Sequence, residues 1–171
     1  MIPVFLLVLL CPLGLDRQIS RYIATAIFCI ASFTDCLDGY IARKYSLVTN
    51  FGKFMDPLAD KLLVCSAMIA LIGIEDAVVP LPSIVVIIII AREFIITGFR
   101  TLAAEQNIVI AAGIWGKLKT ICQMLMLIVL LLNIDNIYMA AAGNILIYAS
   151  LVLAIVSAAD YIMKNRGVLK N

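Results

Sequence analysis

The stretch that decides both fold and chemistry is residues 35 to 60, which read DCLDGYIARKYSLVTNFGKFMDPLAD. It holds four aspartates, all bordered by strongly apolar sequence: Asp35, Asp38, Asp56 and Asp60. A carboxylate in such surroundings is energetically costly, which makes each aspartate a candidate functional residue. The first two lie three positions apart and the last two lie four apart, so on helices the members of each pair share a face. A hairpin that turns between the pairs would bring the four carboxylates around one point.

Four clustered carboxylates predict a metal site. Like charges raise one another's pKa, so a cluster of this kind stays ionised only when cations neutralise it. Ligand sets made of oxygen favour hard ions such as magnesium, manganese or calcium. Two ions bridged by carboxylates would also suit a site that handles phosphates.

Two glycines and an arginine extend the same interpretation. Gly39 follows Asp38, and Gly52 lies four positions before Asp56. Glycine on a helix lets a ligand or another backbone approach closely. Arg43 lies one turn beyond Gly39 and is able to hold a phosphate with two parallel hydrogen bonds. Together these residues predict a pyrophosphate-containing substrate bound at a membrane surface.

The stretch resembles the signature of the CDP-alcohol phosphotransferase family, D-x-x-D-G-x-x-A-R, eight residues, then G-x-x-x-D-x-x-x-D. All eight fixed positions match: Asp35, Asp38, Gly39, Ala42, Arg43, Gly52, Asp56 and Asp60. The resemblance implies a membrane enzyme with two divalent ions, Mg²⁺ or Mn²⁺. In such an enzyme Asp35, Asp38 and Asp56 would hold one ion, and Asp60 would share the second with Asp35 and Asp56.

The same resemblance implies roles for the remaining signature residues. CDP-diacylglycerol would be bound by five signature residues, the first of which is also a ligand of the first ion: Asp38, Gly39, Ala42, Arg43 and Gly52. Asp60 would be the general base that takes the proton of the acceptor's hydroxyl. Relatives in the family also lead us to expect a homodimer.

A second group of basic residues lies outside the signature: Arg92, Arg100, Lys117 and Lys119. These four could form a phosphate pocket beside the metal site. Alternatively, Arg92 could form an ion pair with the adjacent Glu93 or with an aspartate, and the two lysines could be a charged cytoplasmic flank. The surrounding segments resemble the branch of the family that makes phosphatidylglycerophosphate, which implies that the four cations hold the phosphate of glycerol 3-phosphate.

Composition identifies the class of protein. Of 171 residues, 64% are hydrophobic and 14% are charged, which indicates an integral membrane protein rather than a soluble one. A net charge of +2 gives no reason to expect nucleic acid as a partner. The chain has no histidine, which excludes Ser-His-Asp and Cys-His catalysis and histidine-metal sites. We expect one transmembrane domain over residues 1–171.

The hydrophobic pattern predicts an all-α polytopic membrane protein with six transmembrane helices and a polar metal site between the second and third. The predicted helices cover residues 1–15, 19–43, 52–74, 83–104, 117–132 and 137–163. The first is short for a span, so we expect it to be truncated at its amino terminus. Basic residues gather on the side that carries the aspartates, which places that side in the cytoplasm and the chain in the cell membrane. Trp115 and the tyrosines near helix ends fit anchors at the membrane interface.

Other functions compete with this one. Within the family the acceptor could instead be serine, an inositol phosphate or phosphatidylglycerol, although the basic group disfavours serine. A membrane prenyltransferase also uses aspartate clusters, but typically as separated D-x-x-x-D motifs. An ion-coupled transporter would place its carboxylates at mid-membrane, whereas these lie near helix ends. An intramembrane aspartyl protease typically has a G-x-G-D segment, which this chain lacks.

Overall fold

The computed structural model describes residues 1–11, 14, 16–44, 50–105 and 113–165, without the side chains at positions 36, 38–40, 42–44, 50–60, 104 and 105. Over these residues α-helix is the only regular secondary structure, and no β-strand occurs. The described part holds six helices: α1 (Ile2–Leu10), α2 (Arg17–Lys44), α3 (Asn50–Ile72), α4 (Ser83–Glu105), α5 (Ile114–Leu132) and α6 (Ile137–Lys164). The predicted all-α class is therefore confirmed.

Two helix boundaries differ from the predicted ones by more than two residues, and the others agree to within two residues. α1 ends at Leu10 rather than at residue 15, because Cys11 precedes a proline and therefore takes an extended conformation, with φ −118° and ψ 89°. α5 begins at Ile114 rather than at Lys117. The carbonyl oxygen of Gly113 accepts hydrogen bonds from the backbone N–H groups of Gly116 and Lys117, so the helix starts before Gly116.

The described chain divides into two compact units. Unit 1 comprises Met1–Pro80 and Leu127–Asp135, and unit 2 comprises Leu81–Met126 and Asn136–Asn171. In unit 1, α1 contacts both α2 and α3, and α2 contacts α3. The rings of Phe5 and Phe28 are fully buried between α1 and α2, with centroids 5.9 Å apart. This packing supports the helix that carries the first half of the signature.

In unit 2, α4 packs against α6. The buried positions of α6 recur every three or four residues, as expected for one face of a helix, and most are small: Gly143, Ile147, Ser150, Ala154, Ser157 and Tyr161. Small side chains let two helix backbones approach closely, which is the usual basis of helix packing in membranes. Asn136 caps α6, because its side chain accepts a hydrogen bond from the N–H of Tyr138 at 2.8 Å.

Two helices of the described part, α5 and α6, are long and apolar enough to cross a membrane by length and composition. α4 is of similar length but carries Arg92, Glu93 and Arg100 within its span. The prediction of six transmembrane helices is thus supported for two of them.

Candidate active site

The signature occupies the carboxyl-terminal half of α2 and the first half of α3. Asp35 and Asp38 lie on the continuous helix Arg17–Lys44, and Asp56 and Asp60 lie on Asn50–Ile72. The predicted helical spacing is therefore confirmed for the backbone, so each pair of aspartates falls on one helical face. Five residues join these two contacting helices, which together form an αα-hairpin.

Of the four aspartate side chains, only that of Asp35 is among those described, and it is exposed. The side chains of the other signature residues lie outside the described set: Asp38, Gly39, Ala42, Arg43, Gly52, Asp56 and Asp60. The convergence of four carboxylates on a metal remains a prediction. The donor set fits such an ion, since every candidate ligand is a carboxylate and each pair shares a helical face.

The structure brings two of the four predicted phosphate-binding cations together in unit 2. One carboxylate oxygen of Glu93, Oε1, accepts a hydrogen bond from Nη1 of Arg92 at 2.8 Å and another from Nζ of Lys119 at 2.5 Å. The three side chains are only 12%, 14% and 3% exposed for Arg92, Glu93 and Lys119. We refer to these three residues as the buried triad. It links α4 to α5 within one unit.

Arg92 also contacts α6. Its Nη2 donates a hydrogen bond to Oγ of Ser157 at 2.9 Å, and that hydroxyl donates in turn to the backbone carbonyl of Ala154 at 3.1 Å. Arg92 reaches this partner because it lies on the face of α4 that packs against α6, where Ile89 and Ile96 are also buried. Its Nε is buried and has no hydrogen-bond partner among the described residues. This nitrogen is one donor that an additional ligand could use.

The other two cations are placed differently. Arg100 lies two turns further along α4, where its Nε donates to the phenol oxygen of Tyr161 at 3.3 Å. Its guanidinium carbon also lies 5.7 Å from the centre of the Tyr161 ring, a cation–π distance. Both Arg100 and Lys117 are exposed, unlike the triad. The basic group therefore separates into a buried pair and an exposed pair.

Sequence reasoning missed the roles of two residues on α6, Ser157 and Tyr161. Tyr161 was expected to be an interfacial anchor, but it is 7% exposed and packs edge-on against Phe99, with ring centroids 5.7 Å apart. Its position on the buried stripe of α6 was a usable signal, because it continues the three-and-four spacing from Ala154 and Ser157. The alternative interpretation of Arg92 as a partner of Glu93 describes its observed contact.

A cavity of about 330 Å³ lies at the opposite end of α2 in unit 1. Its polar lining includes Ser20, Arg21 and Asp76, and the guanidinium of Arg21 pairs with the Asp76 carboxylate at 2.7 Å. Arg21 and Asp38 are separated by roughly 25 Å of helix at 1.5 Å per residue. This cavity therefore lies far from the signature.

Over nearly its whole length, the chain is similar to proteins named for one reaction. A family model described as CDP-alcohol phosphatidyltransferase matches residues 1–156. The chain is 38% identical over 180 residues to CDP-diacylglycerol–glycerol-3-phosphate 3-phosphatidyltransferase of Bacillus subtilis, covering 99% of this chain and 91% of that protein. The Haemophilus influenzae protein of the same name is 40% identical over 172 residues, covering 99% of this chain and 89% of its own length. A probable phosphatidylglycerophosphate synthase of Mycobacterium tuberculosis is 38% identical over 164 residues, covering 96% of this chain and 75% of its own length.

Proposed function

The chain belongs to the CDP-alcohol phosphatidyltransferase family, and we propose that it transfers the phosphatidyl group of CDP-diacylglycerol to sn-glycerol 3-phosphate, giving phosphatidylglycerophosphate and CMP. The observation that carries this proposal is the similarity to relatives named for that reaction, which extends over 99% of the chain. The cations of unit 2 support it independently, because a phosphorylated acceptor needs such a group and serine does not.

In this proposal the aspartates hold two divalent ions, Mg²⁺ or Mn²⁺. Asp35, Asp38 and Asp56 would bind one ion, and Asp35, Asp56 and Asp60 would bind the other. When bound, the ions neutralise charge on the pyrophosphate and on the departing CMP. Carboxylates from two helices suit this task, because oxygen ligands are those that these ions prefer.

The protein's own groups position the substrates and move the proton. Gly39, Ala42, Arg43 and Gly52 would line the nucleotide end of CDP-diacylglycerol, together with Asp38. Asp60 would accept the proton of the primary hydroxyl of glycerol 3-phosphate. The hydroxyl oxygen then forms a bond to the lipid-side phosphorus, and the bond from that phosphorus to CMP breaks. Arg92, Arg100, Lys117 and Lys119 would hold the acceptor's phosphate.

We also propose that the protein crosses the cell membrane several times, with the aspartates on the cytoplasmic side. The exposed side of α4 supports a further span, since it carries large apolar residues that are each more than half exposed: Ile84, Ile87, Phe94, Ile95 and Leu102. The basic residues that neighbour the aspartates in the sequence support a cytoplasmic position for that side. A homodimer in the bilayer is part of the same proposal.

The test is release of CMP by purified protein in detergent or nanodiscs. CDP-diacylglycerol and Mg²⁺ or Mn²⁺ are supplied, with glycerol 3-phosphate, serine, an inositol phosphate or phosphatidylglycerol as the acceptor. Of the four acceptors, we expect only glycerol 3-phosphate to give CMP release. EDTA should abolish this release, and added Mg²⁺ or Mn²⁺ should restore it. Release with another acceptor only would keep the family and overturn the proposed substrate. Release that persists in EDTA would overturn the metal dependence.

A further inference from the structure

The buried triad contains fewer negative than positive charges. Arg92 and Lys119 are both cationic, and both donate to the same oxygen of Glu93. A shared oxygen keeps the two donor nitrogens close together, where unscreened cations repel one another. Burial makes an unpaired charge more costly still. Glu93 thus contributes the negative charge that both cations share.

A phosphate that binds these cations must compete with Glu93. A phosphate monoester carries between one and two negative charges near neutral pH. Its oxygens would take hydrogen bonds from the same Nζ and Nη1 groups that Glu93 now occupies. The carboxylate and the phosphate also repel each other when they share a site. The neutral Ser157 holds Arg92 without adding to this repulsion, and Nε of Arg92 offers one further donor.

We infer that Glu93 is a resident counter-ion, which holds Arg92 and Lys119 on one oxygen and yields Lys119 to the acceptor's phosphate. This inference rests on the proposed function, since it takes the phosphorylated acceptor as the ligand of the triad. It makes Glu93 a residue that sets specificity. A phosphate with nearly two charges displaces the carboxylate, whereas a zwitterion such as serine does not.

Glu93→Gln tests the inference, because glutamine keeps the shape of the side chain and removes its charge. Without the competing carboxylate, we expect the KM for glycerol 3-phosphate to fall by about tenfold. We expect kcat to fall as well, since the product carries the same phosphate and leaves more slowly. Inorganic phosphate should inhibit the variant at about tenfold lower concentration. General structural damage would not tighten the binding of an anion.

Two control variants separate charge from packing. Glu75→Gln makes the same change at an exposed residue of unit 1, and we expect wild-type KM and kcat. Ser157→Ala removes a neutral partner of Arg92, so we expect the KM to rise rather than fall. An unchanged or raised KM in Glu93→Gln, with wild-type values in Glu75→Gln, would overturn the inference.

A direct binding measurement keeps the inference separate from the proposed reaction. The thermal stability of each variant is measured with and without inorganic phosphate, and we expect phosphate to raise the Tm of Glu93→Gln more than that of the wild type. If the wild type uses a different phosphorylated acceptor, this larger shift would still support the counter-ion. If Glu93→Gln does not accumulate even with phosphate present, the KM of Glu93→Asp for glycerol 3-phosphate tests the inference instead. Its shorter carboxylate should grip Lys119 less firmly and lower the KM about twofold, and a raised KM would overturn the inference.

Discussion

Arg21 and Asp76 form an ion pair, at 2.7 Å from Nη2 to Oδ1, that joins the start of α2 to the segment following α3. The Arg21 side chain is 5% exposed and that of Asp76 is 43% exposed. Water can therefore solvate the carboxylate but hardly reaches the guanidinium, whose charge relies on the ion pair. Arg17 approaches the same oxygen at 3.3 Å but is largely in solvent. The pair joins the two sides of the hairpin at the end opposite to the signature.

We expect Asp76→Asn to destabilise the protein by about 2 kcal/mol, because it leaves a buried guanidinium without its counter-ion. Partial exposure of Asp76 keeps the loss below that of a fully buried pair. Unfolding in detergent, followed by circular dichroism, measures it. Asp135→Asn, an exposed aspartate of the same unit, serves as the control and should change stability by less than about 0.5 kcal/mol. Equal effects in the two variants would show that the ion pair contributes nothing.

Asn133 follows the last residue of α5 in a left-handed conformation, with φ 46°. Its side chain links the end of α5 to the segment that follows α3. Its Oδ1 accepts from the N–H of Val78 at 2.8 Å, and its Nδ2 donates to the carbonyl of Asp76 at 3.2 Å. Asn133→Gly keeps the backbone conformation and loses both bonds, so we expect a loss of about 1 kcal/mol. Asn133→Ala adds the strain of a Cβ atom at positive φ and should lose about 1 kcal/mol more. Thermal unfolding of the three proteins should follow the order Asn, Gly, Ala, and a more stable Ala than Gly variant would contradict this account.

Tyr161 contacts Arg100, so in the proposed site it would affect binding of the acceptor rather than the chemical step. Tyr161→Phe keeps the ring beneath the guanidinium and loses only a 3.3 Å hydrogen bond, so we expect the KM for glycerol 3-phosphate to rise by no more than about threefold. Tyr161→Leu also loses the cation–π contact, and the KM should rise by about tenfold with kcat little changed. Steady-state kinetics at saturating CDP-diacylglycerol separates the two constants. A fall in kcat at unchanged KM would contradict a positioning role.

Asp60→Asn should abolish turnover, by at least about a thousandfold, because the amide cannot accept the proton of the acceptor's hydroxyl. Binding of a CDP-containing ligand should survive, since Asp35, Asp38 and Asp56 would still hold one ion. Equilibrium binding of CDP in the presence of Mg²⁺ provides that measurement. Asp160→Asn, at an i,i+4 pair with the exposed Lys164, is the matched control and should retain activity. Full turnover in Asp60→Asn would remove this residue from the role of base.

Local sequence was enough for the helices and for the identity of the signature. Helical periodicity and apolar runs depend on neighbouring residues, so the all-α class and most helix boundaries could be predicted. Cys11, before a proline, and Gly113, whose carbonyl starts α5, shifted two boundaries. These shifts depend on the backbone conformation at the helix ends, which periodicity does not report.

Only the tertiary structure decided how the basic residues are used. Arg92, Arg100, Lys117 and Lys119 are alike as residue types, so the sequence treated them as one phosphate-binding group. Packing buries Arg92 and Lys119 on a single oxygen of Glu93, 26 positions from that lysine, and sets Arg100 over the ring of Tyr161. The aspartate spacing, by contrast, is a property of one helix at a time, and the sequence alone determines it. Which side chains pair across helices depends on which helix faces pack together. Residues distant in the sequence form these contacts, so local sequence patterns do not predict them.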